Sequence, residues 1–201
     1  MAENILIISS TSGNNFTLAK TLNDKLETFN ISPKILNLED FELPLFKPGV
    51  KASSATIEKL TQHFVKADGF IFCSPEYNGG LTPILTNAIT WISTGTDNWR
   101  DAFNGKACLI ATFSGGPATR FLASFRTQLE YLGMLVMPRT IATNNYSPLK
   151  DESVEKTLKQ FFATSSQRSF LDQSPLFKYF RKYDFLSKFQ VICNSCASSR
   201  I

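Results

Sequence analysis

The chain has 201 residues, 43% of them hydrophobic and 19% charged. That composition is too apolar for a disordered chain, and the length can bury a core without disulfides or a structural metal. The formal net charge of +4 is too slight to point to nucleic acid, and no apolar run is long enough for a membrane-spanning helix.

Met1-Ala2-Glu3-Asn4 carries no basic segment ahead of the apolar run that follows. A secretory signal is therefore not expected, and a cytoplasmic location is. Ile5–Ser9 is a continuous apolar run of strand length, as a strand covered on both faces requires. Phe16–Phe29 places Leu18, Ala19, Leu22, Leu26 and Phe29 mostly three or four apart and reads as a helix. Pro33–Leu38 is a short second strand, and residues 39–53, with Pro44, Pro48 and Gly49, are a loop. Ser54 N-caps a helix to Lys66 with Ile57, Leu60 and Phe64 on one face. Gly69–Cys73 is a third buried strand. Leu81–Ser93 is a helix with Pro83 in its first turn, where proline is tolerated. Lys106–Phe113 is a fourth strand, and Arg120–Leu132 a helix closed by Gly133. A fifth strand spans Leu135–Thr143 around Pro138, and a fifth helix Val154–Phe162.

Five β-α units in succession imply a parallel sheet with helices on both faces. The expected architecture is a three-layer α/β sandwich, flavodoxin-like, with a five-stranded sheet in the order 2-1-3-4-5. Residues 1–165 form this domain. Residues 166–201 form a C-terminal helical extension of unassigned role. Within it, Lys178, Arg181, Lys182 and Lys188 fall roughly opposite Phe180, Tyr183 and Leu186 on a helix. The reading preferred is a helix packed on its own domain or a sister subunit, rather than one lying on a membrane. Cys193-Asn194-Ser195-Cys196 has no second ligand pair and reads as an inert tail. Cys73 and Cys108 read as buried strand residues in a reducing compartment. His63 stands alone on a helix, so it supports neither a metal site nor a triad.

In an open parallel sheet, ligands bind beyond the carboxyl ends of the strands. Three loops therefore matter. After the first strand, Ser10, Thr11, Ser12, Gly13, Asn14 and Asn15 enter a helix. Backbone N–H groups at a helix N-terminus favour an anion, and the hydroxyls and amides add neutral donors. No lysine or GxGxxG accompanies them, so neither a Walker loop nor a Rossmann site is indicated. A phosphomonoester suits such a loop, though a plain capped turn fits it equally. After the third strand, Pro75, Glu76, Tyr77, Asn78 and Gly79 form a stiff turn with the wall and backbone donors for a flat heteroaromatic ring. After the fourth, Ser114, Gly115 and Gly116 let a ligand approach the backbone. Each of these is equally compatible with an ordinary turn.

Ser74-Pro75-Glu76-Tyr77-Asn78-Gly79-Gly80, running on to Pro83, Leu85, Asn87-Ala88-Ile89 and Trp91, resembles the signature of the NADPH-dependent FMN reductases. Asn15 with Leu18-Ala19, and Gly105-Lys106, are similar to two further motifs of that family. The resemblance covers about residues 4–163. The first loop departs from the family's usual Gly-Ser-x-Arg, having no arginine, and Thr90 replaces an aspartate. The resemblance implies an FMN-dependent oxidoreductase. Its flavin phosphate would lie on Ser10–Asn15, and its isoalloxazine against Pro75–Gly79 with Ser114–Gly116 on the other side. NADPH or NADH would donate hydride to flavin N5, and a quinone, azo compound, metal oxyanion or free flavin would accept electrons. No catalytic side chain, metal or nucleic acid is required. A homodimer or tetramer is implied, with helix 81–93, including Trp91 and Ile92, as a contact face. Two other readings remain: a flavodoxin-type electron carrier, because Ser10–Asn15 is similar to T-x-T-G-N-T, and a non-catalytic scaffold. The Pro75–Gly80 loop and the positive charge speak against the carrier.

Overall fold

Strands that are apolar at every position must be covered on both faces, and alternate residues then feed two separate cores. The computed structural model describes residues 4–49, 54–94 and 99–173. In it β1 (Ile5–Ser9) and β3 (Gly69–Cys73) are buried at every residue, and β4 (Ala107–Phe113) at all but the last. Leu6, Ile8, Phe70, Phe72 and Ile110 point to one side, where α2 (Ser54–Lys66), α3 (Pro83–Thr94), α4 (Arg100–Phe103) and α5 (Thr119–Tyr131) pack. Ile5, Ile7, Ile71, Leu109 and Ala111 point to the other, against α1 (Asn14–Glu27) and α6 (Asp151–Gln173). The first core is rich in rings: Phe70 and Phe72 contact Phe64, Phe72 contacts Phe125, and Phe125 contacts Phe121.

The sheet is parallel throughout, in the order β2-β1-β3-β4-β5, with β2 at Lys34–Asn37 and β5 at Leu135–Val136. This is the expected order. The expected fifth strand differs. It is split into β5 and β6 (Ile141–Thr143), both paired with β4, and residues 137–140 leave the ladder between them. Proline has no N–H to give a ladder, so Pro138 cannot be an interior strand residue. The carbonyls freed by the break are taken by Arg126, whose guanidinium donates to Met137 O at 2.6 Å and Pro138 O at 3.3 Å. The helix α4 is an addition to the expected elements. Helix α1 starts two residues earlier than its apolar pattern, and α6 runs from Asp151 past residue 165 to Gln173. The stretch 176–192 and the Cys193–Cys196 pair lie outside the described residues. Among the described residues, no helix is long and apolar enough to cross a membrane.

Two termini show why the punctuation residues stand where they do. Gly133 (φ +86°) ends α5 with its N–H on Glu130 O, while Met134 N–H returns to Leu129 O. That is a Schellman closure, and a Cβ at Gly133 would collide with the Asn104 side chain. Lys106 is 6% exposed, and its ammonium donates to Phe64 O at 2.6 Å and Val65 O at 2.8 Å. The Gly105-Lys106 pair thus serves the C-terminus of α2, where a cation also meets the negative end of the helix dipole. Cys73 and Cys108 are buried and unpaired; burial raises both thiols, Cys108 to about 12. His63 is half-buried on α2, and burial together with Lys34, Lys59 and Lys66 lowers its pKa.

Lys106→Met keeps the aliphatic stem and removes both charge-assisted bonds. It is expected to lower unfolding free energy by about 2–3 kcal/mol, read as a reduced urea midpoint at unchanged m-value.

Candidate active site

Strand order reverses between β1 and β3, so the chain leaves their carboxyl ends toward opposite sides and a crevice opens there. A cleft of about 510 Å³ occupies that position. It is lined by the loop after β1 (Thr11–Asn15), the turn after β3 (Pro75–Tyr77) and the β4 exit (Phe113–Gly115). Glu39 and Asn145 complete it. Its size is ordinary for a small-molecule or cofactor site.

Two buried fastenings hold the loops in place. Ser10 is fully buried, and its hydroxyl donates to Ser74 Oγ at 2.8 Å; Ser74 Oγ lies 3.3 Å from Thr82 Oγ1. Asn15 is 2% exposed, and its amide pairs both ways with Phe113: Nδ2 donates to Phe113 O and Oδ1 accepts from Phe113 N–H, each at 2.8 Å. The side chains of Ser10 and Asn15 are therefore consumed within the protein. A buried polar group must be paired, and the partners of these two side chains are the neighbouring loops. The donors left facing the cleft are elsewhere. Phe16 and Thr17 N–H bond to Gly13 O, while Asn14 and Asn15 N–H, in the first turn of α1, find no acceptor among the described residues.

The β3 turn is a two-residue reversal. Tyr77 and Gly80 exchange backbone hydrogen bonds at 3.1 and 2.9 Å, with Asn78 (φ +51°) and Gly79 (φ +74°) between them. Positive φ at both central residues defines a type I′ turn, for which Asn-Gly is the preferred pair. A Cβ on Gly79 would meet Arg120 Cδ at 3.3 Å. Glu76 joins this turn to the next loop. Its N–H donates to Ser114 Oγ at 2.8 Å, and its carboxylate accepts from Phe121 N–H at 3.0 Å. That carboxylate caps α5, whose own cap residue Ala118 makes no side-chain bond. Tyr77 is half-exposed at the cleft wall. Ser114 is buried, its hydroxyl 2.8 Å from Thr112 Oγ1 and its N–H on Thr143 O.

The cleft thus brings together Thr11, Ser12, Gly13, Asn14, Asn15, Pro75, Glu76, Tyr77, Ser114 and Gly115. It does not include Ser10, Asn78, Gly79 or Gly116 among its lining. Asn78 and Gly79 shape the turn that carries Tyr77. Glu39 and Asn145 were not anticipated. Each follows the carboxyl end of a strand, β2 and β6, and that position is the signal that points to them. Among the described residues, no lysine or arginine lines the cleft; the charged lining residues are Glu39 and Glu76.

Trp91 and Ile92 do not form a contact face. Trp91 is 4% exposed and Ile92 fully buried. The Trp91 indole donates to Pro44 O at 2.7 Å and stacks edge-on with Phe46, while Asn87 bonds Pro44 O and Phe46 N–H. One turn apart on α3, these two residues pin the loop between β2 and α2.

The fold and cleft define a flavodoxin-like α/β protein with a neutral-donor site at its switch point. The profile of the NADPH-dependent FMN reductases matches residues 4–147. An NADPH:quinone oxidoreductase of Arabidopsis thaliana is 30% identical over 148 residues, 68% of this chain and 70% of that protein. A quinone reductase of Escherichia coli is 30% identical over 125 residues, 57% of this chain and 65% of that one. Among solved structures, a flavoenzyme NAD(P)H:(acceptor) oxidoreductase from Paracoccus denitrificans superposes with a TM-score of 0.64 at 18% identity, over 82% of this chain and 96% of the other. The chain belongs to the NADPH-dependent FMN reductase family. Membership makes it an enzyme of the class that uses FMN with NADPH or NADH.

The residues fit that cofactor. Orphan N–H groups on α1 and the Thr11 hydroxyl suit a phosphate, and Pro75, Tyr77 and Phe113 offer apolar surface to a ring. Asn15→Ala is expected to cost about 2 kcal/mol, from two lost hydrogen bonds. Gly79→Ala forces a side chain into left-handed backbone and is expected to cost about 1–2 kcal/mol. Chemical denaturation of both variants measures these losses.

Proposed function

We propose that this chain reduces a small organic oxidant, a quinone first, with electrons from NADPH or NADH. The FMN on which this depends would lie in the cleft between Thr11–Asn15, Pro75–Tyr77 and Ser114–Gly115. The observation that carries the reading is the pairing of orphan helix N–H donors with an apolar turn across one switch-point cleft.

The protein's contribution is binding and orientation. Thr11, Ser12, Gly13 and the first turn of α1 would grip the phosphate with neutral donors. Pro75 and Tyr77 would back one side of the ring system, and the small residues at Gly115 leave backbone accessible on the other. Glu76 keeps these two walls at a set separation through Ser114 and Phe121. FMN held there would supply the two-electron redox chemistry between nicotinamide and acceptor. No side chain in the cleft is needed as a nucleophile or base. Tyr77 is half-exposed beside an open cleft, so the site imposes little shape selection on the oxidant. Azo compounds, metal oxyanions and free flavin are therefore further acceptors. A homodimer or tetramer is the form proposed, and a cytoplasmic location, which the unpaired Cys73 and Cys108 support as thiols of a reducing compartment.

The test is spectroscopic. Protein incubated with FMN and desalted is expected to retain flavin absorbance, to bleach on anaerobic addition of NADPH or NADH, and to recover its colour with a quinone. Bleaching by dithionite alone would make the protein an electron carrier. Loss of all flavin on desalting would remove the proposed cofactor site.

A further inference from the structure

A carboxylate occupies the loop where a phosphate is expected. Glu39 follows β2 in the one-turn helix Leu38–Asp40. Its Oε2 accepts from Ser12 N–H at 2.9 Å and from the Ser12 hydroxyl. The arrangement is aimed by Asn37, which is 7% exposed. Asn37 Nδ2 donates to Ser12 Oγ at 2.8 Å, so the single hydroxyl proton of Ser12 is left to point at Glu39. Asn37 Oδ1 accepts from Glu39 N–H at 3.3 Å and fixes the turn that carries the carboxylate. Ser12 and Glu39 both line the cleft, and among the described residues no lysine or arginine lines it to offset the charge.

We propose that Glu39 is an internal ligand of the phosphate loop and sets this enzyme's selectivity between phosphorylated and unphosphorylated flavins. The inference rests on the FMN reading and goes beyond it. A phosphate seated on the Thr11–Asn15 loop would share the Ser12 N–H and hydroxyl with the Glu39 carboxylate, and two anions on shared donors repel each other. Binding a flavin phosphate therefore requires Glu39 to release Ser12. Its side chain is exposed, so water replaces the bonds it gives up. A flavin without a phosphate leaves the Ser12–Glu39 contact intact and escapes this competition. Glu39 thus lowers affinity for FMN selectively and holds the loop ordered when no phosphate is present.

The experiment is a flavin-fluorescence titration of wild type, Glu39→Gln and Glu39→Ser with FMN and with riboflavin. Thermal melting of each variant checks that it is folded. The expected result is at least tenfold tighter FMN binding in both variants, with riboflavin affinity changed less than twofold. Unchanged or weaker FMN binding overturns the inference, as does a gain shared equally by riboflavin; in both cases the FMN reading stands. Failure of all three proteins to bind either flavin overturns the inference and the FMN reading together.

Discussion

The cleft depends on the two-way pairing of the Asn15 amide with the backbone of Phe113. Asn15 belongs to the first turn of α1 and Phe113 to the last residue of β4, two elements 98 positions apart in sequence. Joined, they set the distance between the loop after β1 and the loop after β4. The Ser10–Ser74 hydroxyl contact does the same between β1 and β3. A switch point opens a crevice in any sheet of this order, but the crevice has a defined shape only when the loops around it cannot drift. The Ser10–Ser74 contact is buried and the Asn15 side chain nearly so, where water competes little for a hydrogen bond and a missing partner is costly.

Much of the polar chemistry in the family motifs is spent in this way. Glu76 caps α5 and bonds Ser114. Asn87 and Trp91 hold the Pro44–Phe46 loop. Lys106 closes α2. None of these tasks is a chemical step. This division of labour suits a protein whose cofactor carries the reaction, because small displacements of a bound ring alter its alignment with a reductant more than the loss of a distant charge would. It also explains why the chain manages without a well-placed histidine.

Electrostatics gives the site its particular character. The cleft has helix N–H groups and hydroxyls as donors, and its charged lining residues are carboxylates. Attraction for an anion there would come from oriented backbone dipoles, which are short-ranged and act only on a group seated directly on them. An arginine would pull from a distance; a loop of neutral donors would recognise an anion by contact.

The amino-acid sequence by itself determined the β-α alternation, the sheet order, both buried cysteines, the Gly133 closure and the three loops at the carboxyl ends. Those properties follow from local periodicity and from the punctuation of glycine and proline, which act over a few residues. It also contained the break at Pro138, through proline's missing N–H, although the strand reads as continuous when only its apolar pattern is followed. The tertiary structure alone decided which polar residues face the cleft. Ser10 and Asn15 look like ligand donors beside Thr11 and Asn14, yet their bonds are taken by Ser74 and Phe113. Trp91 reads as a surface for another subunit, yet Pro44 receives its N–H. Glu39 carries no motif at all and reaches Ser12 only because β2 lies beside β1. A side chain's chemistry is written in its residue type, but its partner is chosen by packing between segments far apart in the chain.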